Sequence, residues 1–159
     1  MAEQYCLELA TFMDVVNQSV DYIMEHEITE MVRDAISVFV QKNVYEAYPN
    51  PKAYVRQGEY GGLLDRNNME ATYEKQTKTL TVKNVRDDPE TKEARWKLTG
   101  DPENTVADVV EYGHPYTWRS VRIGPRPFHE PAEQFLIDRG YVDSRLTQEM
   151  EENLGGFFM

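Results

Sequence analysis

Between Asn17 and Tyr45 apolar residues recur at three- and four-residue steps. Val20, Met24, Ile28, Met31, Ala35 and Phe39 form the stripe, and Ile23, Val32, Ile36 and Val40 widen it. The opposite face carries Asp21, Glu25, Glu27, Glu30 and Asp34. This spacing predicts one long helix over Asn17–Tyr45. Its start is marked either by Thr11 with Asp14 in a capping box or by Asn17, and Pro49 and Pro51 end it.

The pattern then shortens. Ala53–Arg56 reads as a short strand, and Gly58 and Gly61-Gly62 mark a turn in which a glycine takes positive φ. No dinucleotide or Walker spacing surrounds these glycines, so they do not read as a phosphate loop. Met69–Lys75 and Thr79–Val85 alternate with period two, which predicts a β-hairpin around the loop Gln76-Thr77-Lys78. Arg86–Asn104 is polar and reads as a solvated loop with a helical turn near Trp96. Thr105–Tyr112 predicts a short helix closed by Gly113. Further helices are expected over Glu130–Arg139, with Pro131 in the first turn and Gly140 after the end, and over Ser144–Leu154, capped by Asp143 or Ser144. Gly155-Gly156 and the apolar tail Phe157-Phe158-Met159 follow. A helix, then strands, then helices is an α+β order. The expected architecture is a long N-terminal helix packed on a small antiparallel sheet, with short C-terminal helices. All 159 residues are expected to form a single domain, with 155–159 as its tail.

Composition narrows the chemistry. The net charge is -11 and there are 28 acidic residues. Phosphate contacts dominate nucleic-acid affinity, so such a chain is poorly suited to wrap DNA, whereas an acidic wall suits its passage. The first 32 residues hold seven acids and no Lys or Arg, unlike a secretory signal or a mitochondrial presequence. No apolar run is long enough to span a bilayer. The single cysteine, Cys6, reads as a buried small hydrophobe. No metal or cofactor is expected. Asp87, Asp88 and Glu90 lack a ligand spacing and read as a solvated acidic loop. His26, His114 and His129 sit in unrelated contexts, and Ser37, Ser120 and Ser144 lack a visible base partner. A non-enzymatic protein is the expectation.

From His114 to His129 there is no acid, but there are Arg119, Arg122 and Arg126 with Tyr116, Trp118 and Phe128. Three uses fit that composition: anchors of a protein interface, a half-buried strand with arginines outward, or stacking on single-stranded nucleic acid. An Arg/aromatic segment with separate acidic end regions, which include Glu149, Glu151 and Glu152, suits head-to-tail pairing, and such a contact repeated by rotation closes a ring.

Three segments carry a resemblance. The first is Val44-Tyr45-Glu46-Ala47-Tyr48-Pro49, leading through Tyr54-Val55-Arg56 to Gly61-Gly62-Leu63-Leu64-Asp65. The second is Val109-Val110-Glu111-Tyr112-Gly113. The third is Arg126-Pro127-Phe128, followed by Pro131-Ala132. In this order, over about Gln41 to Leu136, the chain resembles the tail-component family of long-tailed bacteriophages, the neck or tail-completion proteins. The loop Asp87–Asn104 is longer than that pattern, and Gly155–Met159 lies outside it.

The resemblance implies a virion structural protein at the head–tail junction, present in the host cytoplasm during assembly. It would form a ring of six or twelve copies, with connector or head-completion proteins on one side and tail tube or tail terminator proteins on the other. DNA would pass through the lumen without specific binding, and no membrane or catalytic residue is involved. Gly61, Gly62 and Gly113 would set turns. Pro127 and Phe128 would anchor the penultimate helix to the core. Arg119, Arg122 and Arg126, with Tyr116, Trp118 and Phe128, would form the interface, and Phe157 and Phe158 would dock on a partner. Two other readings stay open: an acidic protein-binding module, or a small phage-encoded enzyme.

Overall fold

The computed structural model describes residues 2–47, 61–87, 103, 105–113 and 124–154, and the side chains within these from residue 10 onward. The expected strand Ala53–Arg56, the helical turn near Trp96 and the tail from Gly155 lie outside the described residues, as does the Cys6 side chain.

An unbroken helical run extends from Ala2 to Glu46. It comprises α1 (Ala2–Ile23), a π-helical stretch (Met24–Ile28), α2 (Thr29–Phe39) and a second π-helical stretch (Val40–Glu46). Neither expected cap operates, because Thr11, Asp14 and Asn17 all lie inside α1. Residues 2–10 are mostly strong helix formers with no Gly or Pro, so nothing stops the helix upstream. Within the first π stretch the wider turn changes the backbone pairing, and the Thr29 hydroxyl donates to the Met24 carbonyl at 2.9 Å.

Burial divides this run in two. Between Ala10 and Tyr22 no residue is fully buried. From Ile23 onward Ile28, Thr29, Ala35, Ile36, Val40 and Val44 are buried. The core therefore lies on the phase set by Ile36, Val40 and Val44, while Met31, Val32 and Phe39 pack around its edge.

The hairpin pairs β1 (Met69–Glu74) with β2 (Thr79–Asn84), antiparallel and in the register Met69↔Asn84, Ala71↔Val82 and Tyr73↔Leu80. The alternating apolar positions thus meet across the strands on one face. Glu74 pairs with Thr79, so Lys75 joins the loop, which has one residue more than the spacing predicts. Lys78 closes it in the left-handed region at φ 55°. Arg33 of α2 donates from Nε and Nη2 to the Met69 carbonyl at 3.2 and 2.9 Å, which seats the hairpin against the helix.

Three short helices follow: α3 (Val106–Tyr112), α4 (His129–Asp138) and α5 (Tyr141–Leu154). The last begins three residues before Ser144. Gly140, at φ 61°, turns the chain, and its carbonyl accepts the Ser144 N–H at 3.0 Å. The helix can therefore start at once, without Asp143 or Ser144 as its cap. Ala35, Ile36, Val40 and Val44 meet Leu63, Met69, Ala107, Phe128, Ala132 and Leu136 in one core. The fold is α+β, as the element order predicts.

Candidate functional site

The glycine turn, the end of α3 and the start of α4 converge on one buried polar cluster. Thr105 caps α3 through a reciprocal capping box. Its hydroxyl accepts the Asp108 N–H at 3.2 Å, and the Asp108 carboxylate accepts the Thr105 N–H at 2.9 Å. Lys83 of β2 reaches the same carboxylate at 3.3 Å.

At the other end of α3, Gly113 turns the chain at φ +66° and lies against the segment before α4. A Cβ there would sit 2.4 Å from the Pro125 nitrogen and 2.8 Å from the Gly124 carbonyl carbon, both backbone atoms. Beside it, the Arg126 N–H donates to the Val110 carbonyl at 2.9 Å. Gly113→Ala is therefore expected to destabilise the fold by about 2–3 kcal/mol, from positive φ and the forced separation of two segments. A urea midpoint unchanged from the parent chain would contradict this close approach.

Glu111 stands at the centre. It is 5% exposed. Its carboxylate accepts the Phe128 N–H at 3.0 Å and the His129 N–H at 3.3 Å, the two donors at the start of α4. A side chain of α3 thus caps α4, where a negative charge also complements the helix dipole.

The His129 ring continues the chain of bonds. The Asn84 N–H points at His129 Nε2 at 2.9 Å, so Nε2 must supply a lone pair. The ring proton then resides on Nδ1, which lies 3.2 Å from Glu111 Oε2. Asn84, 0% exposed, donates from Nδ2 to the Leu63 carbonyl at 2.7 Å, and its Oδ1 accepts the Arg86 N–H at 3.0 Å. From the long helix, Asn43 donates to the Pro127 carbonyl at 2.7 Å. All three motif segments are thereby tied to one clasp: Gly-Gly-Leu through Leu63, Val-Glu-Tyr-Gly through Glu111, and Arg-Pro-Phe through Phe128. Both ring nitrogens of His129 are committed to it, so this His/Glu pair has no nitrogen to offer a substrate.

Burial pushes the Glu111 carboxyl up, but the His129 ring and the Phe128 and His129 N–H groups outweigh it and hold the group below the ordinary glutamate range. A depressed carboxylate contributes stability that is complete above its unfolded pKa and is lost as pH falls through the lower folded value. Asp21, Asp65 and Asp108 are depressed as well, so all four act in the same direction. The melting temperature is expected to fall below about pH 4. The fall should be shallower in Glu111→Gln, and an identical acid profile in that variant would contradict Glu111's share.

Of the residues expected at an interface, Tyr116, Trp118, Arg119, Arg122, Phe157 and Phe158 lie outside the described residues. Arg126 is half-buried, with its N–H on Val110. Phe128 is 0% exposed and belongs to the core cluster. It serves as the expected anchor of the penultimate helix and presents no surface to a partner. The reason is the clasp, which fixes its backbone at the start of α4 and turns its ring inward.

Residues 8–152 match the model of one protein family, YomN. The chain belongs to the YomN family. That places it among phage-derived proteins. No curated protein matches the chain, and no solved structure does. The YomN match contains every residue of the clasp and stops before Gly155.

Around the clasp of this YomN domain, the acidic face of the long helix is paired within the chain. Asp21 accepts from Lys78 at 2.6 Å and from the Tyr73 hydroxyl at 2.8 Å. Burial and that acidic partner push the Tyr73 hydroxyl up to about 12. Glu25 pairs with Lys75 at 3.0 Å, and Glu27 with Arg145 at 2.7 Å. Arg66 bridges Glu30 and Asp34, and Arg33 also holds Glu30. Each exposed pair is worth little on its own. Together they occupy the polar face of the long helix with cations of the same chain. Glu130, Glu133, Asp143 and Glu151, on α4 and α5, have no basic partner among the described residues.

A row of aromatic rings lies where α2, α4 and α5 meet. Phe39 and Phe135 contact edge to face at 5.9 Å, as do Phe135 and Tyr141 at 5.5 Å. The Arg139 guanidinium rests over the Phe135 ring at 5.9 Å. Among the described residues no group of three or more His, Cys, Asp or Glu is placed to hold a metal ion, and no helix is long and apolar enough to cross a membrane.

Proposed function

We propose that this phage-derived protein is a virion component of the head–tail junction, a ring-forming joint between connector and tail. The observation that supports it is the clasp. The three motif segments that resemble neck and tail-completion proteins are bound to one another through Leu63, Asn84, His129, Glu111 and Phe128. The motifs therefore do structural work, and their polar groups are spent on holding segments together. That favours a rigid building block over the alternative of a small enzyme.

In this role the chain joins copies of itself, six or twelve to a ring, and contacts head-completion proteins above and tail proteins below. Glu130, Glu133, Asp143 and Glu151, which have no basic partner among the described residues, would supply acid for an Arg/aromatic neighbour or for a lumen that repels DNA. No cofactor is required. Mass measurement in solution by light scattering, at low and physiological salt, tests the ring. A six- or twelve-fold mass is expected. A monomer at every concentration would contradict spontaneous ring formation and favour the reading as an acidic binding module.

A further inference from the structure

Among the described residues the sheet has two strands, so each strand has one edge with no neighbour. The Asn84 N–H goes to His129, and the Val85 N–H goes to the Asn68 carbonyl at 2.7 Å. Antiparallel ladders alternate. Glu70↔Lys83, Thr72↔Thr81 and Glu74↔Thr79 therefore exchange the bonds that hold the hairpin. The N–H and C=O groups of Ala71 and Tyr73 point away on the β1 side, and those of Leu80 and Val82 on the β2 side. No described residue bonds any of them. On each edge the free groups recur about every 7 Å, the repeat of an extended strand. Arg33 closes the β1 edge at Met69, and His129 closes the β2 edge at Asn84. The open stretches, Ala71–Tyr73 and Leu80–Val82, match in length.

Charge decides which edges fit. Glu70, Thr72 and Glu74 are exposed on the outer face of β1, as are Thr79, Thr81 and Lys83 on that of β2. Two β1 edges brought together would set Glu70 of each copy opposite Glu74 of the other, which is destabilising. Two β2 edges could pair, but both β1 edges would then stay open. A β1 edge against the β2 edge of a second copy repeats the hairpin's own register. Ala71 meets Val82, Tyr73 meets Leu80, and Glu70 faces Lys83. Neither Glu70 nor Glu74 has a basic partner among the described residues. The Lys83 ammonium, 3.3 Å from Asp108, has donors left for a second acid.

We infer that β1 of one copy pairs antiparallel with β2 of the next. The contact joins unlike edges, so it is heterologous, runs head to tail, and closes into a ring when the rotation permits. The inference rests on the self-association proposed above and names one contact within it.

The test reads this contact separately from the ring. All chains carry Cys6→Ser, which removes the single native thiol. One chain then carries Thr72→Cys and another Thr81→Cys. Both positions are exposed. The inferred register sets them opposite each other as a non-hydrogen-bonded pair, about 4.5 Å apart at Cα and within reach of a disulfide. The two chains are mixed and oxidised with diamide, and dimers are counted on a non-reducing gel. Cross-linking is expected to be about tenfold or more faster in the mixture than in either chain alone. Adding Ala71→Pro to the Thr72→Cys chain deletes an outward N–H but no bond of the hairpin, and should abolish the excess. Circular dichroism checks that this variant keeps the fold. No excess in the mixture, or an excess that a folded Ala71→Pro chain retains, would overturn the contact even if light scattering shows a ring. Fast cross-linking of the Thr81→Cys chain with itself would reveal a two-fold β2 pair and also overturn it. An excess from chains whose mass before oxidation is monomeric would uphold the edge contact and contradict the ring.

Discussion

Phe128→Ala is expected to lower the free energy of unfolding by about 3–5 kcal/mol, the largest single-residue effect in this fold. The ring is fully buried, is the largest fully enclosed side chain among the described residues, and lies in the cluster with Ile36, Val40, Leu63, Met69 and Leu136. Those residues come from the long helix, the glycine turn, the hairpin and α4, so the cavity left by alanine has walls from four elements and collapses poorly. Its neighbours are also held by hydrogen bonds that resist collapse. Urea denaturation measures the loss, with an unchanged slope if both states keep their compactness. The result also separates two roles. An interface phenylalanine would leave the stability of the isolated chain nearly intact and weaken association instead. A loss below 1 kcal/mol with reduced oligomer mass would return Phe128 to the surface.

Glu111→Ala is expected to cost about 3 kcal/mol, because it strands the Phe128 and His129 N–H groups and the His129 Nδ1–H together. A donor shielded from water and left without an acceptor loses solvation, and three donors share this carboxylate, the Phe128 N–H buried and the two of His129 half-buried. Glu111→Gln keeps one acceptor oxygen and should lose about half as much. Hydrogen exchange adds a local reading. The amides of Phe128 and His129 should lose protection first in Glu111→Ala, since the start of α4 has no other side-chain cap. Uniform loss over the whole chain, or none at these two amides, would contradict the clasp as the cap of α4.

Much of the fold was legible in the residue pattern, and for clear reasons. The α2 stripe, the period-two hairpin, and Gly113 and Gly140 at helix ends are local signals, and local physics set them. The start of the long helix is not legible from Thr11, Asp14 and Asn17, which are good caps by type, because a cap acts only where the chain before it stops being helical. Nothing in Ala2–Ala10 stops it. The clasp was invisible for a different reason. Its bonds join Leu63, Asn84, Glu111 and His129, and separations of 18 to 45 residues leave no periodic trace. One signal was present: Glu111 is four residues after Ala107, which puts an acid on the buried face of α3. An acid in that position asks for buried donors. The pattern shows the polar face of the long helix as acidic but not as neutralised, because its cations other than Arg33 come from Arg66, from Lys75 and Lys78 of the hairpin loop and from Arg145 of α5.

The head–tail junction role depends on where the protein sits in a particle. Gold-labelled antibody against the chain, imaged by electron microscopy on assembled phage, tests this most directly. Label confined to the neck between head and tail is the expected result. Complete, infectious particles that carry no label, or carry it only on the head shell or the distal tail, would contradict it.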